Sequence, residues 1–345
     1  MARGRSRDRI SQLPADILDH ILGFLPIQDA AKTAVLSSIW RDVWFSLTQL
    51  NFDHGFFCYI YKKHRHANKY AKKSAVSLYV INKILLLHKG TIRKFVLSFY
   101  KVGVRAIMSR SYDFDQWLLL VTHKGVEEIY IRFEEKAFRL PSCIFSCLTL
   151  KRLHLYGVVI EPMNFPCILP NVASLCFECV DFGPINCLDC AIDVPVLEKL
   201  SFIHCRNIFH FDITAPKLCS LTIEFCSTTV RGKFLPVNLD LRSISTLDLG
   251  GHLQFESMAT KCMDALLELH AVVQTNKMLN ALKFLSFEGS HSEMLFIKEL
   301  LTNFSTFEKV VIVREKHYRK KDTAGIMQEL LDLPFASTKT KIIIV

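Results

Sequence analysis

No stretch of the 345-residue sequence reaches the roughly 18 uninterrupted apolar residues that a membrane span needs. Met1 to Ile10 alternates arginine with small residues and has no apolar core, so a secretory leader is not expected. The sequence has no glycine-rich phosphate loop, no G-x-S-x-G and no H-E-x-x-H. P-loop nucleotide hydrolysis, the serine-hydrolase elbow and zinc-peptidase chemistry therefore lack their usual residues. Glycine (13) and proline (11) are sparse beside 26 phenylalanines, and half of all residues are hydrophobic. Such a chain can bury a sizeable core, which excludes wholesale disorder. Its length suits two or three small domains.

Twelve cysteines without a leader point to a reducing cytosol or nucleus, where most serve as small buried hydrophobes. Cys176-x-x-Cys179 and Cys187-x-x-Cys190 stand too close together for the usual paired zinc spacing, so no metal is expected there, nor any cofactor elsewhere. The formal charge is +10, but three short runs hold the excess. Residues 1–9, 62–73 and 314–321 carry 15 Lys/Arg against Asp8 and Glu315, and the remaining chain is close to neutral. Basic charge confined to tails and loops argues against a nucleic-acid-binding fold. Only Tyr70, His64 and His66 interleave with the middle run, which is little for base stacking. The runs read as solvated segments, with nuclear import as their functional alternative.

Residues 10–50 read as three short helices. Leu13-Pro14-Ala15-Asp16 starts the first, with Pro14 where its missing N–H costs nothing and Asp16 near the positive dipole end. Ile17, Leu18, Ile21, Leu22 and Leu25 make one broad apolar face, and Pro26 stops the helix. Asp29 is expected to cap a second helix over Ala30 to Leu36. Ser37 or Ser38 caps a third, where Trp40, Val43, Trp44 and Leu47 recur at helical spacing. Three helices in some 40 residues make a poor free-standing core. The surplus apolar surface either docks another protein or packs on the domain that follows.

The string Ser11-Gln12-Leu13-Pro14-Ala15-Asp16-Ile17-Leu18, the Leu25-Pro26 break, and Val35-Leu36-Ser37 followed by Trp40-Arg41 and Trp44 resemble the F-box. Leu50-Asn51-Phe52-Asp53 resembles the exit of plant members, whereas Ser38-Ile39 stand where those members usually carry two basic residues. The resemblance implies that this segment binds the Skp-type adaptor of cullin–RING ubiquitin ligases. It also implies that Leu13, Pro14, Ile17, Ile21, Leu25, Val35 and Trp40 contribute to the adaptor surface.

Further along, the frame L-x-x-L-x-L recurs with other apolar residues allowed. It appears at Ile92/Phe95/Leu97, Val126/Ile129/Ile131, Leu150/Leu153/Leu155, Val172/Leu175/Phe177 and Leu197/Leu200/Phe202. It continues at Leu218/Leu221/Ile223, Ile244/Leu247/Leu249, Leu282/Leu285/Phe287 and Phe307/Val310/Ile312. Six of the eight spacings fall within about 20–29 residues, the range of leucine-rich repeats, and Cys205 and Cys226 occupy the position of the repeat's Asn or Cys. Each strand should turn its frame residues inward and the residues between them onto a concave strip. That strip includes Tyr130, Arg132, Arg152, His154, Tyr156, Glu178, Lys199, Glu224 and Asp248. It runs from basic and aromatic toward acidic, a candidate surface for a protein target or else a merely solvated face. A helix over Val76 to His88 is expected to cap the open end of the stack, and another over Cys262 to Val273 fills the longest gap.

From Asn276 the pattern is strand, helix, strand, helix, strand. Phe287-Glu288-Gly289, Glu299-Leu300-Leu301, Phe307 to Ile312 and Leu333-Pro334-Phe335-Ala336-Ser337 resemble the FBD region of the plant F-box/LRR/FBD family. The expected fold is therefore α/β: a short N-terminal three-helix F-box followed by a leucine-rich-repeat solenoid ending in an FBD-like α/β unit. Its divisions are a basic tail (1–9), the F-box (10–50), a basic linker (51–75), the solenoid (76–275) and the FBD-like region (276–345). The resemblance implies a non-catalytic substrate-recognition subunit of an SCF-type ligase. Its partners would be the adaptor and, through it, the cullin, together with a target protein, in nucleus or cytoplasm. The alternative is a non-degradative repeat scaffold with a degenerate F-box.

Overall fold

A computed structural model describes residues 9–64, 70–99, 111–134, 138–161, 167–183, 190–208, 211–224, 226, 243–250 and 279–287. Beyond these it describes residues 294, 297–298, 301–302, 307–314, 325, 328 and 340–344. The helix expected over Cys262 to Val273, most of both C-terminal helices, Cys187 and most of the basic runs lie outside the described residues. The chain forms two compact units, Met1–Val158 and Val159–Val345.

In the first unit, helix α1 (Ala15–Gly23) follows Pro14 and buries Leu18 and Leu22. Helix α2 (Ile27–Thr33) starts three residues earlier than expected, because Pro26 presets the entry and its carbonyl accepts from the Asp29 and Ala30 amides. Asp29 is therefore no cap; it sits in the first turn and pairs with Lys32 at 2.7 Å. Helix α3 (Ser38–Phe45) is capped by Ser37, whose hydroxyl accepts from the Trp40 amide.

The described residues of the expected 51–75 linker are strand and helix instead. Strand β1 (Gln49–Phe52) continues to Phe52, Asp53 caps helix α4 (His54–Lys63), and Phe56, Phe57 and Ile60 are buried. Their apolar spacing supplies one inward helical face. Helix α5 (Tyr70–Leu87) follows, then strand β2 (Lys94–Phe99), which pairs in parallel with β1. The helix expected as an end cap is thus part of the crossover between the first two strands. It turns Leu78, Ile81 and Leu85 inward. The ladder begins one strand early because Leu47/Leu50/Phe52 fits the same L-x-x-L-x-L frame, with all three residues buried. Helix α6 (Ser111–His123), strand β3 (Glu128–Phe133), the short β4 (Phe138–Arg139) and β5 (Arg152–Tyr156) complete the unit, with β3 parallel to both β2 and β5. A phenylalanine cluster fills its interior: Phe52, Phe56, Phe57, Phe95, Phe99, Phe114 and Phe133 meet ring to ring at 4.4–6.0 Å. Edge and offset contacts of this kind add to the area they bury.

Short β6 (Val158–Val159) straddles the division between the units. The second unit carries β8 (Ser174–Glu178), β10 (Lys199–Ile203), β12 (Ser220–Glu224), β13 (Thr246–Gly250), β14 (Ala281–Phe287), β15 (Lys309–Arg314) and β16 (Lys341–Ile344), paired in parallel in that order. A smaller ladder joins β7 (Cys167–Ile168), β9 (Cys190–Asp193) and β11 (Phe211–Thr214). Leu247 and Leu249 stand opposite Leu282 and Phe284, so the buried frame in β14 is Leu279/Leu282/Phe284. The expected frame Leu282/Leu285/Phe287 is displaced by three residues, and Leu285 points to the other face. Strand β14 pairs directly with β13, so the ladder does not break at residue 276. The thiols of Cys205 and Cys226 donate to the Phe177 and Phe202 carbonyls at 3.1 and 3.4 Å, each reaching the last frame residue of the preceding repeat.

Candidate functional site

The helical trio shows two faces. Leu18, Leu22, Ile27, Ala30, Val43 and Leu47 are sealed. Leu13, Pro14, Ile17, Leu25 and Val35 from the expected adaptor set are exposed, and Ile21 is half-buried. Trp40 is the correction: it is only 8 % exposed, and its indole N–H donates to the Ser11 hydroxyl at 2.9 Å. It shares the inward face with Val43 and Leu47, so it builds the bundle instead of its surface. Four large apolar residues outside that set are also exposed: Ile10, Phe24 (76 %), Leu36 (68 %) and Ile39. With Val35 at 85 %, Phe24, Leu36 and Ile39 flank the turns that end α1 and α2. Such residues break helical periodicity, and so no apolar-face pattern finds them. Exposed large aliphatic and aromatic side chains of this kind make the trio a candidate interaction surface.

This face is fixed to the first strands. The Asp19 carboxylate accepts from the Thr48 amide at 2.8 Å and from its hydroxyl at 2.6 Å. The His88 ring N–H donates to the Leu47 carbonyl at 2.8 Å, and the Lys89 amide donates to the Phe45 carbonyl.

The expected target strip falls on the strand faces. In the first unit Tyr130, Arg132, His154 and Tyr156 are half-buried and Arg152 is exposed. The Arg132 guanidinium lies over the Tyr156 ring at 4.1 Å, and the Tyr130 and His154 rings stand 4.4 Å apart. Burial works against the charge on Arg132, but hydrogen bonding to Tyr130 and the neighbouring Tyr156 and Glu134 leave its pKa raised. Sequence reasoning omitted Glu128, which takes Arg152 at 3.0 Å and Lys94 at 3.7 Å. In the second unit Glu178, Glu224 and Asp248 are half-buried and Lys199 is exposed. Here charge divides across the strands more than along the chain. Lys199, Lys309 and Lys341 hold first strand positions, Asp248 a middle one, and Glu178 and Glu224 the fifth. Burial, against the pull of Lys283, raises the pKa of Asp248; burial also raises that of Glu224. The Cys176 thiol is pushed up to about 12 by burial and by Glu178.

Known families match both regions. The F-box domain model covers residues 10–50, the helical trio up to β1. The model "FBD-associated F-box protein At5g56370, LRR repeats" covers residues 114–240. The chain thus carries an F-box match followed by a leucine-rich-repeat match of the kind found in FBD-associated F-box proteins, and it is similar to plant F-box/LRR proteins. F-box/FBD/LRR-repeat protein At1g13570 of Arabidopsis thaliana is 34 % identical to this F-box/LRR chain over 221 residues, 64 % of this chain and 50 % of the relative. F-box/LRR-repeat protein At3g59200 of the same plant is 31 % identical over 236 residues, 65 % of this chain and 42 % of that one. F-box/FBD/LRR-repeat protein At5g56420 is 27 % identical over 262 residues, 73 % of this chain and 58 % of the relative. The chain thus spans about half the length of the curated relatives it matches. No helix among the described residues is long and apolar enough to cross a membrane.

Proposed function

We propose that this F-box/LRR protein is the substrate-recognition subunit of an SCF-type cullin–RING ubiquitin ligase. The helical face takes the Skp-type adaptor and, through it, the cullin; the strand faces hold a target protein. The subunit is non-catalytic on this reading. It holds target and ubiquitin-conjugating machinery together, and confinement of that kind raises effective concentration by orders of magnitude. Residues 276–345 act as an FBD-like extension of the repeat ladder, and the protein works in nucleus or cytoplasm.

The observation that carries the reading is the split within the trio: Trp40 is sealed while Val35, Leu36 and Phe24 stay exposed. A bundle whose core is already closed has no folding use for those side chains, so a second polypeptide is their natural cover. The test is co-purification of the full chain with a purified Skp-type adaptor. Val35→Asp with Leu36→Asp should abolish the complex and leave thermal unfolding unchanged, because both side chains are solvated. If the intact protein fails to hold the adaptor, the ligase reading falls and the non-degradative scaffold replaces it.

A further inference from the structure

We propose that Arg132, with Tyr130 and Tyr156, forms a subsite on the strand face of the first unit for a carboxylate side chain of an acidic peptide segment. The inference rests on the reading of that face as the target surface and names the chemistry of the target there.

Three observations converge. The guanidinium of Arg132 lies over the Tyr156 ring at 4.1 Å and donates a hydrogen bond to Tyr130. An arginine held by two neighbours has already lost much of the side-chain freedom that anion binding would cost. Its fork is also under-used. Among the described residues the Glu134 carboxylate stands 3.8 Å from Nη2, near enough to attract but too far for a hydrogen bond. The Arg132 Nε is sealed from solvent, so an incoming carboxylate would meet the guanidinium through its two Nη groups. The other charges of this face are committed elsewhere, since Glu128 takes both Arg152 and Lys94. An anion arriving here therefore meets one preset fork between two phenol rings. A planar carboxylate matches that fork in a bidentate way, and the rings suit the flat peptide bonds on either side of it.

The probe is a fluorescein-labelled peptide of alternating Glu and Gly, titrated into the full chain and followed by anisotropy, with the Lys/Gly peptide as control. The expected result is saturable binding of the Glu peptide alone. Arg132→Gln should weaken it about tenfold or more, as for a lost charge-assisted pair. Arg132→Lys keeps the charge but loses the fork and should fall between. The triple change Lys316→Gln, Lys320→Gln and Lys321→Gln removes a basic run outside the subsite and should bind as wild type. Binding absent from the wild type, or lost with the lysine triple and untouched by Arg132→Gln, overturns the proposal. Adaptor co-purification of the Arg132 variants is read in parallel. It stays intact if only the subsite is wrong, whereas an intact chain that never takes the adaptor defeats the ligase reading instead. Thermal unfolding of Arg132→Lys within a degree or two of wild type keeps a loss of binding attributable to the fork.

Discussion

Gly157 follows β5 at φ +70°, and a Cβ built there would overlap the Phe133 carbonyl oxygen at the end of β3. Replacing it by alanine adds two costs that the structure separates. The left-handed backbone is disfavoured for an L side chain by about 1 kcal/mol. The overlap is with main chain, which cannot swing aside like a flexible side chain, so β3 and β5 must part; forced overpacking typically costs ~1–3 kcal/mol. The sum is about 2–4 kcal/mol, or roughly 4–16 °C of melting temperature for a unit of this size. Gly125→Ala is the internal reference, since Gly125 has φ +75° with nothing within 4 Å of the added carbon. It should lose only the backbone part, about 1 kcal/mol. Thermal unfolding by circular dichroism, with hydrogen exchange over residues 128–158 to assign the transition, measures both. Equal losses for the two alanines, or a Gly157 loss under about 0.5 kcal/mol, would refute the claim that close strand approach fixes this glycine.

Asp19→Ala strips two acceptors from Thr48 and should lower stability by about 1–3 kcal/mol in urea titrations, more than Thr48→Val. His88 is held below its usual pKa by burial, against the Leu47 carbonyl that stabilises its proton and with Lys124 reinforcing the shift. Below pH 6.5 the unfolded chain therefore gains a proton that the folded one declines, and stability contributed by neutral His88 is lost as pH falls. His88→Gln should flatten the decline in unfolding free energy between pH 7.5 and 5.5; an unchanged slope disproves it. Burial raises the Cys176 thiol to about 12 and the Cys205 thiol further still. Iodoacetamide at pH 8 should therefore leave both unmodified in the folded protein, as peptide mass spectrometry would show, and alkylate them in urea.

The parallel ladders were legible because a frame of three apolar residues per strand is a strong signal. Every triplet from Ile92/Phe95/Leu97 to Ile244/Leu247/Leu249 is buried. The frame slipped in β14 because Ala281–Phe287 is apolar on both faces, and only the register with Leu247 and Leu249 decides which face is inside. A left-handed turn at the eighth repeat position went unseen for a different reason. Gly157 announces it, but Cys179 (φ +52°) and His204 (φ +51°) fill the same place without the glycine signature. There the turn residue's amide donates to the next strand's carbonyl at 2.7 Å in both cases, which offsets the strain. Trp40 shows where both arguments stop. Its spacing from Val43 and Leu47 gives an apolar helical face without saying what that face meets, and the resemblance placed it on the adaptor surface, whereas it is only 8 % exposed. The exposed Phe24 and Leu36 were visible to neither argument, because surface exposure at a helix break depends on what the rest of the chain covers.

The helical face and the strand face of the first unit are coupled through a shared element. A basic linker after the F-box would have let a bound target swing on a tether. Instead Leu47/Leu50/Phe52 is at once the end of the F-box and the first frame of the ladder. Asp19 grips the entry to β1, His88 ties the end of α5 to Leu47, and the Arg93 and Lys94 amides donate to the Thr48 carbonyl. Hydrogen bonds that span the junction from both sides restrain it. On the ligase reading, the direction in which Arg132 presents a target is then set by the fold and not by a flexible segment. Only part of a target's surface would face the conjugating enzyme, and choice among its lysines would follow from register and not from reach.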